Sequence, residues 1–248
     1  MALRPFLSLV KFFDKIGLSA RRPFCATLLI ITLPLFLTAC GTGKMPDLFG
    51  QITSINSTPE ITTGSILPVA RWDRHDDGKT WTRYTATALN NYGQGLISSA
   101  PKDVAQYCPS YAGLQPQQRR AFWIHLISAL SKYESNFDPS VKFDETTVDP
   151  KMITVSGQPI ISRGLLQISK ESANGYGCKI NEASQLHDAN TNLSCAVRIL
   201  DRWITRDGVI SGQVDAGWRG AARYFSPFRD DNKRQAMQTL SQNLSFCR

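Results

Sequence analysis

The stretch Ala121–Pro139, AFWIHLISALSKYESNFDP, decides the fold that we predict for this chain. Apolar residues lie on nearly every side of a helix drawn through residues 122–133, which leaves it almost no polar face. The turn-forming residues SNFDP follow at once, so the helix should end near Glu134. This pattern predicts a helix buried inside a globular domain, with one carboxylate at its carboxyl end.

Glu134 has the surroundings of a general acid. The carboxyl end of a helix is the negative end of its dipole, and Tyr133 and Phe137 are aromatic neighbours. Both surroundings disfavour the charged form and raise the pKa of a carboxyl group. A carboxyl group that stays protonated near neutral pH is able to donate a proton in catalysis. The alternative is a glutamate that lies at a helix end in water, and the stretch alone fits both interpretations.

The beginning of the chain has the features of an export signal. Two arginines precede an apolar run at 26–37 that is too short for a comfortable membrane span. The run ends in LTACG, which resembles the lipobox of bacterial lipoproteins. The resemblance implies that residues 1–39 are a lipoprotein signal peptide and that Cys40 is acylated. A plain transmembrane anchor is the alternative.

The same resemblance implies a location in the cell envelope. Gly41 after the cysteine permits transfer to an outer membrane, where the protein would face the periplasm, and several acyl chains would hold it firmly. Residues 42–68 are rich in Ser, Thr, Gly and Pro and lack sustained periodicity, so we expect a flexible tether there. The segment 40–68 is thus expected to join the lipid anchor to the domain.

The charge balance argues against nucleic acid as a partner. Residues 1–39 carry five Lys or Arg and one Asp, so the net charge of +8 for the whole chain falls to +4 for the expected mature chain. No run of basic residues suggests nucleic-acid binding. A modest positive charge suits a polymer that carries carboxylates, such as peptidoglycan, and fits an ordinary solvated surface equally well.

Four cysteines lie in the expected mature domain, an even number for an oxidising compartment. They are Cys108, Cys178, Cys195 and Cys247. Three pairings are possible. We favour Cys178 with Cys195, which closes a short loop, and Cys108 with Cys247, which ties down the tail. No histidine lies near these cysteines at the spacing of metal ligands, so we expect neither a zinc site nor another cofactor.

Helical patterns dominate residues 69–248. We predict helices at 81–91, at 169–175, at 188–203, at 218–225 and at 230–244, with further helices that begin at Pro101 and Pro116. One short β-hairpin is predicted, in which residues 153–155 and 160–162 flank the turn Ser156–Pro159. The expected fold class is mainly α, with this one hairpin, preceded by the lipoprotein signal and the tether.

Three motifs occur in a fixed order along this domain. They are ESNFDP at 134–139, SRGLLQI at 162–168, and the helix 190–200 followed by Ala-Arg-Tyr at 222–224. In this order they resemble the soluble lytic transglycosylase family over roughly residues 105–228. That family has a goose-type lysozyme-like helical fold and cleaves the glycan strands of peptidoglycan. The resemblance implies a lysozyme-like domain at 69–248 in a membrane-bound member of the family.

The resemblance also implies roles for single residues. Glu134 would protonate the glycosidic oxygen between N-acetylmuramic acid and N-acetylglucosamine. It would then accept a proton from the C6 hydroxyl of the sugar, giving a 1,6-anhydro product, or from water, giving hydrolysis. No second protein carboxylate is required, unlike in the paired-carboxylate scheme, because the acetamido group of the substrate is able to assist. Substrate contacts are implied for Ser135, Ser162, Gly164, Leu166, Gln167 and Tyr224.

These contacts differ in kind. Ser135 would orient Glu134 or touch the sugar, and Gly164 would allow close backbone approach or form a tight turn. Leu166 would pack on a sugar face, and Gln167 would exchange hydrogen bonds with a sugar. The hydroxyl of Tyr224 would lie near the catalytic carboxylate.

Two departures from the family pattern stand out. Phe225 follows Tyr224 where the family usually has Asn. The segment 140–162 is longer than usual and carries Asp144, Glu145 and Asp149. We hypothesise that this segment is a flap over the cleft and that one of its acids positions water, with a solvated acidic loop as the alternative.

Three functions therefore stay in view. The main prediction is a lipid-anchored lytic transglycosylase that acts on peptidoglycan glycan strands. A hydrolytic lysozyme on the same fold and a non-catalytic peptidoglycan-binding lipoprotein are the alternatives. The sequence leaves the protein partners unknown.

Overall fold

The structure is a computed structural model that describes residues 70–215 and 217–248. The predicted signal peptide, Cys40 and the whole of the predicted tether lie outside the described residues. This part of the chain contains α1 (Gly78–Tyr92), α2 (Gln94–Ser98), α3 (Pro116–Glu134), α4 (Lys170–Gly175), α5 (Ala189–Asp207) and α6 (Asp231–Gln242). Its strands are β1 (Lys142–Asp144), β2 (Ile161–Arg163), β3 (Ile168–Ser169), β4 (Ser211–Val214) and β5 (Gly217–Gly220). None of these helices is both long and apolar enough to cross a bilayer.

Helix α3 forms the centre of the domain. Every residue from Ala121 to Ser131 is buried, which confirms the predicted buried helix. The helix begins at Pro116, whose missing N–H costs nothing at a first helical position. Gln115 and Gln118 close this end by exchanging hydrogen bonds with each other's backbone. Helices α1, α2 and α6 pack against α3, and this packing fixes the position of its last residue.

Helix α5 is the amphipathic partner of α1. Its first turn is capped by Asp188, whose Oδ1 accepts a hydrogen bond from the N–H of Thr191 at 2.8 Å. The helix ends at Gly208, which has a φ of 67°. The prediction for 188–203 is confirmed, although the helix runs one turn further. Its apolar face packs along α1 and presses both helices into the same core.

The first sheet differs from the predicted hairpin. Strands β1, β2 and β3 form an antiparallel sheet in that order, and Ser162 pairs with both Phe143 and Ser169. The chain does turn at 156–159, yet the only strand-like pairing there among the described residues is the bridge between Ile153 and Pro159. Val155 is fully exposed, so the apolar residues of this turn have no core to pack against. Strand β2 pairs with β1 and β3 instead.

The prediction of a helix at 218–225 is wrong. Strands β4 (Ser211–Val214) and β5 (Gly217–Gly220) pair as an antiparallel hairpin, and a 3₁₀ turn follows at Ala221–Arg223. Gly220 has a φ of 58°, and a Cβ built there would lie 2.3 Å from the carbonyl oxygen of Val209. A left-handed residue that close to backbone cannot sit inside an α-helix.

The helix predicted to begin at Pro101 is reduced to the 3₁₀ turn Val104–Gln106. The carboxylate of Asp103 accepts hydrogen bonds from the N–H groups of Ile210 (2.6 Å) and Ser211 (3.0 Å). This residue therefore anchors the start of β4 and does not cap a helix of its own.

Two disulfides close the domain. Cys178 is bonded to Cys195 across 17 residues, and Cys108 is bonded to Cys247 across 139 residues. This is the pairing that we favoured from the sequence. The first disulfide ties the segment after α4 to α5, and the second ties the chain end to the segment before α3.

Candidate active site

Glu134 is the last residue of α3 and keeps part of its surface accessible, while protein atoms surround its carboxyl group. Burial, the larger cause, and the charge of Glu145 together raise the pKa of this carboxyl from 4.5 to about 8. Lys233 and Arg229 act in the opposite direction. The direction agrees with the prediction, but the causes are burial and a second carboxylate. Glu134 is therefore protonated at neutral pH.

The turn after Glu134 is strained. Asn136 and Phe137 both have left-handed backbone conformations, with φ values of 54° and 67°. Each such residue costs about 1–2 kcal/mol and persists only where its surroundings hold it. The ring of Phe137 packs on His75 at 5.0 Å, and the side-chain amide of Asn136 accepts a hydrogen bond from Lys132. These contacts end the helix sharply at Glu134.

Ser135 holds the second motif against the end of α3. Its hydroxyl donates to the carbonyl oxygen of Leu165 at 3.0 Å, and the hydroxyl of Ser131 donates to the same oxygen at 3.2 Å. Ser135 is buried, so its hydroxyl braces the backbone beside Glu134. Its role towards a sugar stays a prediction.

The expected sugar contact of Leu166 requires correction. Its side chain is 0% exposed and belongs to the core, so no sugar face reaches it in this structure. Its N–H donates to Oδ1 of Asn192 at 2.9 Å. The residue positions the motif from within the domain.

Gly164 serves a tight turn, the second of its two interpretations. Its φ is 76°, and a Cβ built there would lie 2.1 Å from the carbonyl oxygen of Leu186 and 2.4 Å from Nδ2 of Asn192. The same Nδ2 donates to the carbonyl oxygens of Arg163 and Leu186. Glycine is thus required for packing on the start of α5.

Gln167 lies beside this turn with a φ of 43°. Its Nε2 donates to the carbonyl oxygens of Gly164 (2.8 Å) and Val141 (3.1 Å). Its Oε1 is buried and accepts no hydrogen bond from any described residue. A buried acceptor of this kind suits a donor on a ligand, and sugar binding by Gln167 stays a prediction.

The charge of Glu134 acts on Tyr224. Burial raises the pKa of the Tyr224 hydroxyl, and the charges of Tyr176 and Glu134 raise it as well. A hydrogen bond to Ser172 lowers this pKa. The hydroxyl is thus close enough to Glu134 to respond to its charge. Phe225 is 1% exposed, so the position that usually carries Asn in the family belongs to the core here.

Of the acids in the 140–162 segment, Glu145 is the one that acts on Glu134. Its Oε1 accepts a hydrogen bond from the Ser162 hydroxyl at 2.5 Å, so this serine is engaged by a carboxylate. Asp144 instead accepts from the N–H of Thr146, and Asp149 from the N–H of Lys151. The segment therefore contributes one carboxylate to the site, as the flap hypothesis allows.

Arg229 is a member of the site that the sequence analysis missed. Its Nε donates to the carbonyl oxygen of Ala222 at 2.7 Å, and its Nη2 donates to that of Arg223 at 3.0 Å. Burial lowers the pKa of this guanidinium, and Glu134 and Glu145 oppose the shift. The only hint in the sequence is an arginine shortly after the third motif.

Comparison with known proteins identifies the family. The Transglycosylase SLT domain matches residues 113–216. A solved structure of wild-type Bd0314 DslA is 40% identical to the chain with a TM-score of 0.68, and the match covers 73% of this chain and 98% of that protein. The chain belongs to the SLT transglycosylase family. The expected lysozyme-like helical fold is confirmed by this membership.

Two further structures of DslA match this SLT transglycosylase. Each is a variant in which one glutamate is replaced with glutamine. They are 39% and 40% identical to the chain, and both have a TM-score of 0.68. The matches cover 73% and 72% of this chain and 99% and 97% of DslA. No curated protein matches at a significant level.

Proposed function

We propose that this protein is a lytic transglycosylase that cuts the β-1,4 bond between N-acetylmuramic acid and N-acetylglucosamine in peptidoglycan. Membership of the SLT family supports a transglycosylase-type glycosidase that acts on glycan strands. The observation that carries the proposal is Glu134, whose pKa is raised to about 8 by burial and by Glu145. A carboxyl group in this state is a proton donor at the pH of the envelope.

The reaction needs Glu134 twice. Its proton passes to the glycosidic oxygen as the bond from that oxygen to C1 of N-acetylmuramic acid breaks. The resulting carboxylate then takes the proton of the C6 hydroxyl, whose oxygen forms a bond to C1 and closes the 1,6-anhydro ring. The charges of Lys233 and Arg229, which favour the ionised form of Glu134, stabilise the intermediate carboxylate.

Hydrolysis is the second candidate function, and Glu145 favours it. In this proposal Glu145 takes a proton from an attacking water. Its support is that the Ser162 hydroxyl hydrogen-bonds to this carboxylate and that its charge acts on Glu134. The two substituted glutamates of DslA are eleven residues apart, the same separation as Glu134 and Glu145 in this chain. A two-carboxylate mechanism would add water to C1 and leave a free reducing end.

Digestion of purified sacculi tests the proposal. The parent protein should release muropeptides, and Glu134→Gln should lose about 10²–10⁴-fold in rate, the usual contribution of a general acid. Glu171→Gln removes an exposed glutamate from the first turn of α4 and serves as the matched control, with full activity expected. A Glu134→Gln variant as active as the parent would contradict the proposal. A parent without activity would favour the non-catalytic binding protein.

Mass spectrometry of the products separates the two reactions. Anhydro-muropeptides support the transglycosylase, and reducing-end muropeptides support the hydrolase. Under the transglycosylase mechanism, Glu145→Gln should leave the nature of the product unchanged. Under the hydrolase mechanism, the same change should lower the yield of reducing ends.

We also propose that a lipid on Cys40 anchors the enzyme in the outer membrane, facing the periplasm. The lipobox-like sequence at 37–41 supports this. Cys40→Ser should abolish labelling by a fatty-acid analogue and release the protein from the membrane fraction, whereas Cys25→Ser should change neither. Continued labelling of Cys40→Ser would overturn the anchor.

A further inference from the structure

A recess of about 270 Å³ lies on α5, where the carboxyl ends of α1 and α4 meet it. The residues that line it are Tyr92, Gly175, Tyr176, Arg198, Asp201 and Arg202. Tyr92 ends α1 and Gly175 ends α4, while the two arginines are one helical turn apart on α5. None of these residues belongs to the candidate active site described above.

Two cations in this recess have no carboxylate partner. Among residues 70–215 and 217–248, no carboxylate oxygen lies within 4.0 Å of a nitrogen of Arg198 or Arg202. The guanidinium of Arg198 stacks on the ring of Tyr92, with Cζ 3.5 Å from the ring centroid. A guanidinium that stacks on a ring keeps its N–H donors in its own plane, where they are able to bind a planar anion.

Asp201 neutralises only part of the positive charge in the recess. Its Oδ1 accepts a hydrogen bond from the N–H of Leu96 at 2.9 Å and so faces the first turn of α2. This carboxylate supports the positive end of that helix, and the recess keeps an excess of one positive charge from Arg198 and Arg202.

One aromatic residue separates this recess from the candidate active site. Tyr176 lines the recess, and its ring meets the ring of Tyr224 edge to face, with 5.9 Å between the ring centroids. The hydroxyl of Tyr176 accepts a hydrogen bond from Nε1 of Trp203 at 2.6 Å. Tyr224 in turn lies near Glu134. The two tyrosines therefore connect the recess to the candidate active site.

We propose that Arg198 and Arg202 bind a carboxylate of a peptidoglycan peptide stem, so that the recess is a second contact with the polymer that the active site cuts. The inference rests on the proposed function for the identity of the polymer. Two guanidinium groups one turn apart suit bidentate recognition of a carboxylate. A membrane surface fits less well, because lipid headgroups are bound by clusters of about four to eight basic residues and not by two beside an aspartate.

Binding to sacculi tests the inference in the full mature chain that carries Glu134→Gln, so that cleavage does not remove the ligand. Adding Arg198→Gln and Arg202→Gln should weaken binding to intact sacculi about tenfold, as expected for the loss of charge-assisted hydrogen bonds. The matched control is Lys79→Gln with Arg83→Gln, two exposed cations at the same helical spacing on α1, which should change binding less than twofold. Glycan chains stripped of their peptide stems should bind all three proteins equally.

Several outcomes would overturn the inference. One is a double variant that binds intact sacculi as tightly as its parent. Another is an equal loss of binding to stem-free glycan. A third is found by measuring binding to vesicles that contain phosphatidylglycerol. If the double variant binds these vesicles less tightly than its parent but binds sacculi equally well, the recess binds membrane lipids instead.

Two additional measurements separate folding and catalysis from binding. Arg198→Lys with Arg202→Lys keeps the charge without the planar fork, so its binding should fall between those of the parent and the glutamine variant. If the glutamine variant fails to fold, this lysine variant decides the question alone, and parental binding by it would overturn the inference. With Glu134 intact, the glutamine variant should cleave stem-free glycan at the parental rate. The parent protein could also bind sacculi through these arginines and yet show no cleavage. That result would refute the proposed function and would still support the inference about the recess.

Discussion

The carboxylate of Glu145 raises the pKa of Glu134, although the two residues come from separate elements. Glu134 ends the central helix, whereas Glu145 begins the 3₁₀ turn after β1. The pairing of β1 with β2 brings Ser162 to Glu145, and the hydrogen bond of 2.5 Å between them holds the second carboxylate in place. The acid strength of Glu134 thus depends on a segment outside its own motif.

Glu145→Gln should shift the pH profile of the enzyme. Removing a neighbouring negative charge lowers the pKa of Glu134, so the proton donor is lost at a lower pH. The alkaline limb of kcat/KM, expected near pH 8 for the parent, should therefore move towards neutrality. Asp149→Asn removes an acid of the same segment that does not act on Glu134, and it should leave the limb in place. If the alkaline limb of kcat/KM lies at the same pH in Glu145→Gln as in the parent, the two carboxylates are not coupled.

Glu134→Gln should make the protein more stable above pH 4.5. Between pH 4.5 and about 8 the folded protein keeps the Glu134 proton while the unfolded chain has lost it, so the free energy of unfolding falls as the pH rises. The side chain of the glutamine variant does not titrate, so this fall in the free energy of unfolding does not occur in the variant. Since each pKa unit corresponds to about 1.4 kcal/mol, we expect the variant to gain on the order of 4 kcal/mol over the parent at pH 8. Near pH 4 the two proteins should unfold at the same denaturant concentration, and a gain that is equal at both pH values would point to a different cause.

Gly164→Ala should destabilise the domain strongly. The new Cβ would lie 2.1 Å from the carbonyl oxygen of Leu186, at a φ of 76° that alanine rarely adopts. Strain and overpacking together should cost about 2–4 kcal/mol in urea unfolding at pH 7. Gly157→Ala is the matched control, because Gly157 has a φ of 78° with no atom within 4 Å of the new Cβ. The control should lose only about 1–2 kcal/mol, and equal losses in both variants would mean that packing on Leu186 contributes nothing.

The two long helices with many apolar residues, α3 and α5, were predictable from the sequence. The apolar surface of α3 and the single apolar stripe of α5 identified both helices, and Pro116 and Asp188 marked where they begin. These features are local, so a single sequence contains the information. The position of Glu134 at a helix end followed directly.

Apart from the Cys108–Cys247 disulfide, the features that depend on contacts distant in sequence were missed. The β4–β5 hairpin begins where Asp103 binds the N–H groups of Ile210 and Ser211, more than a hundred residues along the chain. Its residues show no alternating pattern, so residues 218–225 suggested a helix instead. Glu145 is positioned by the pairing of β1 with β2. Arg229 is positioned by backbone carbonyl groups that accept hydrogen bonds from its guanidinium. Spacing along the chain does not encode such distances.

The two disulfides should contribute unequally to stability. Cys108 and Cys247 close a loop of 139 residues, whereas Cys178 and Cys195 close one of 17. A cross-link that closes a longer loop removes more entropy from the unfolded chain, by about 5 kcal/mol for the long loop and about 3 kcal/mol for the short one. Replacing both cysteines of the long loop with alanine should therefore lower the denaturation midpoint more than replacing both cysteines of the short loop. Guanidinium unfolding under non-reducing conditions measures the difference. A larger loss from the Cys178–Cys195 pair would show that the native contacts of α4 and α5, and not loop closure, determine how much each disulfide stabilises the domain.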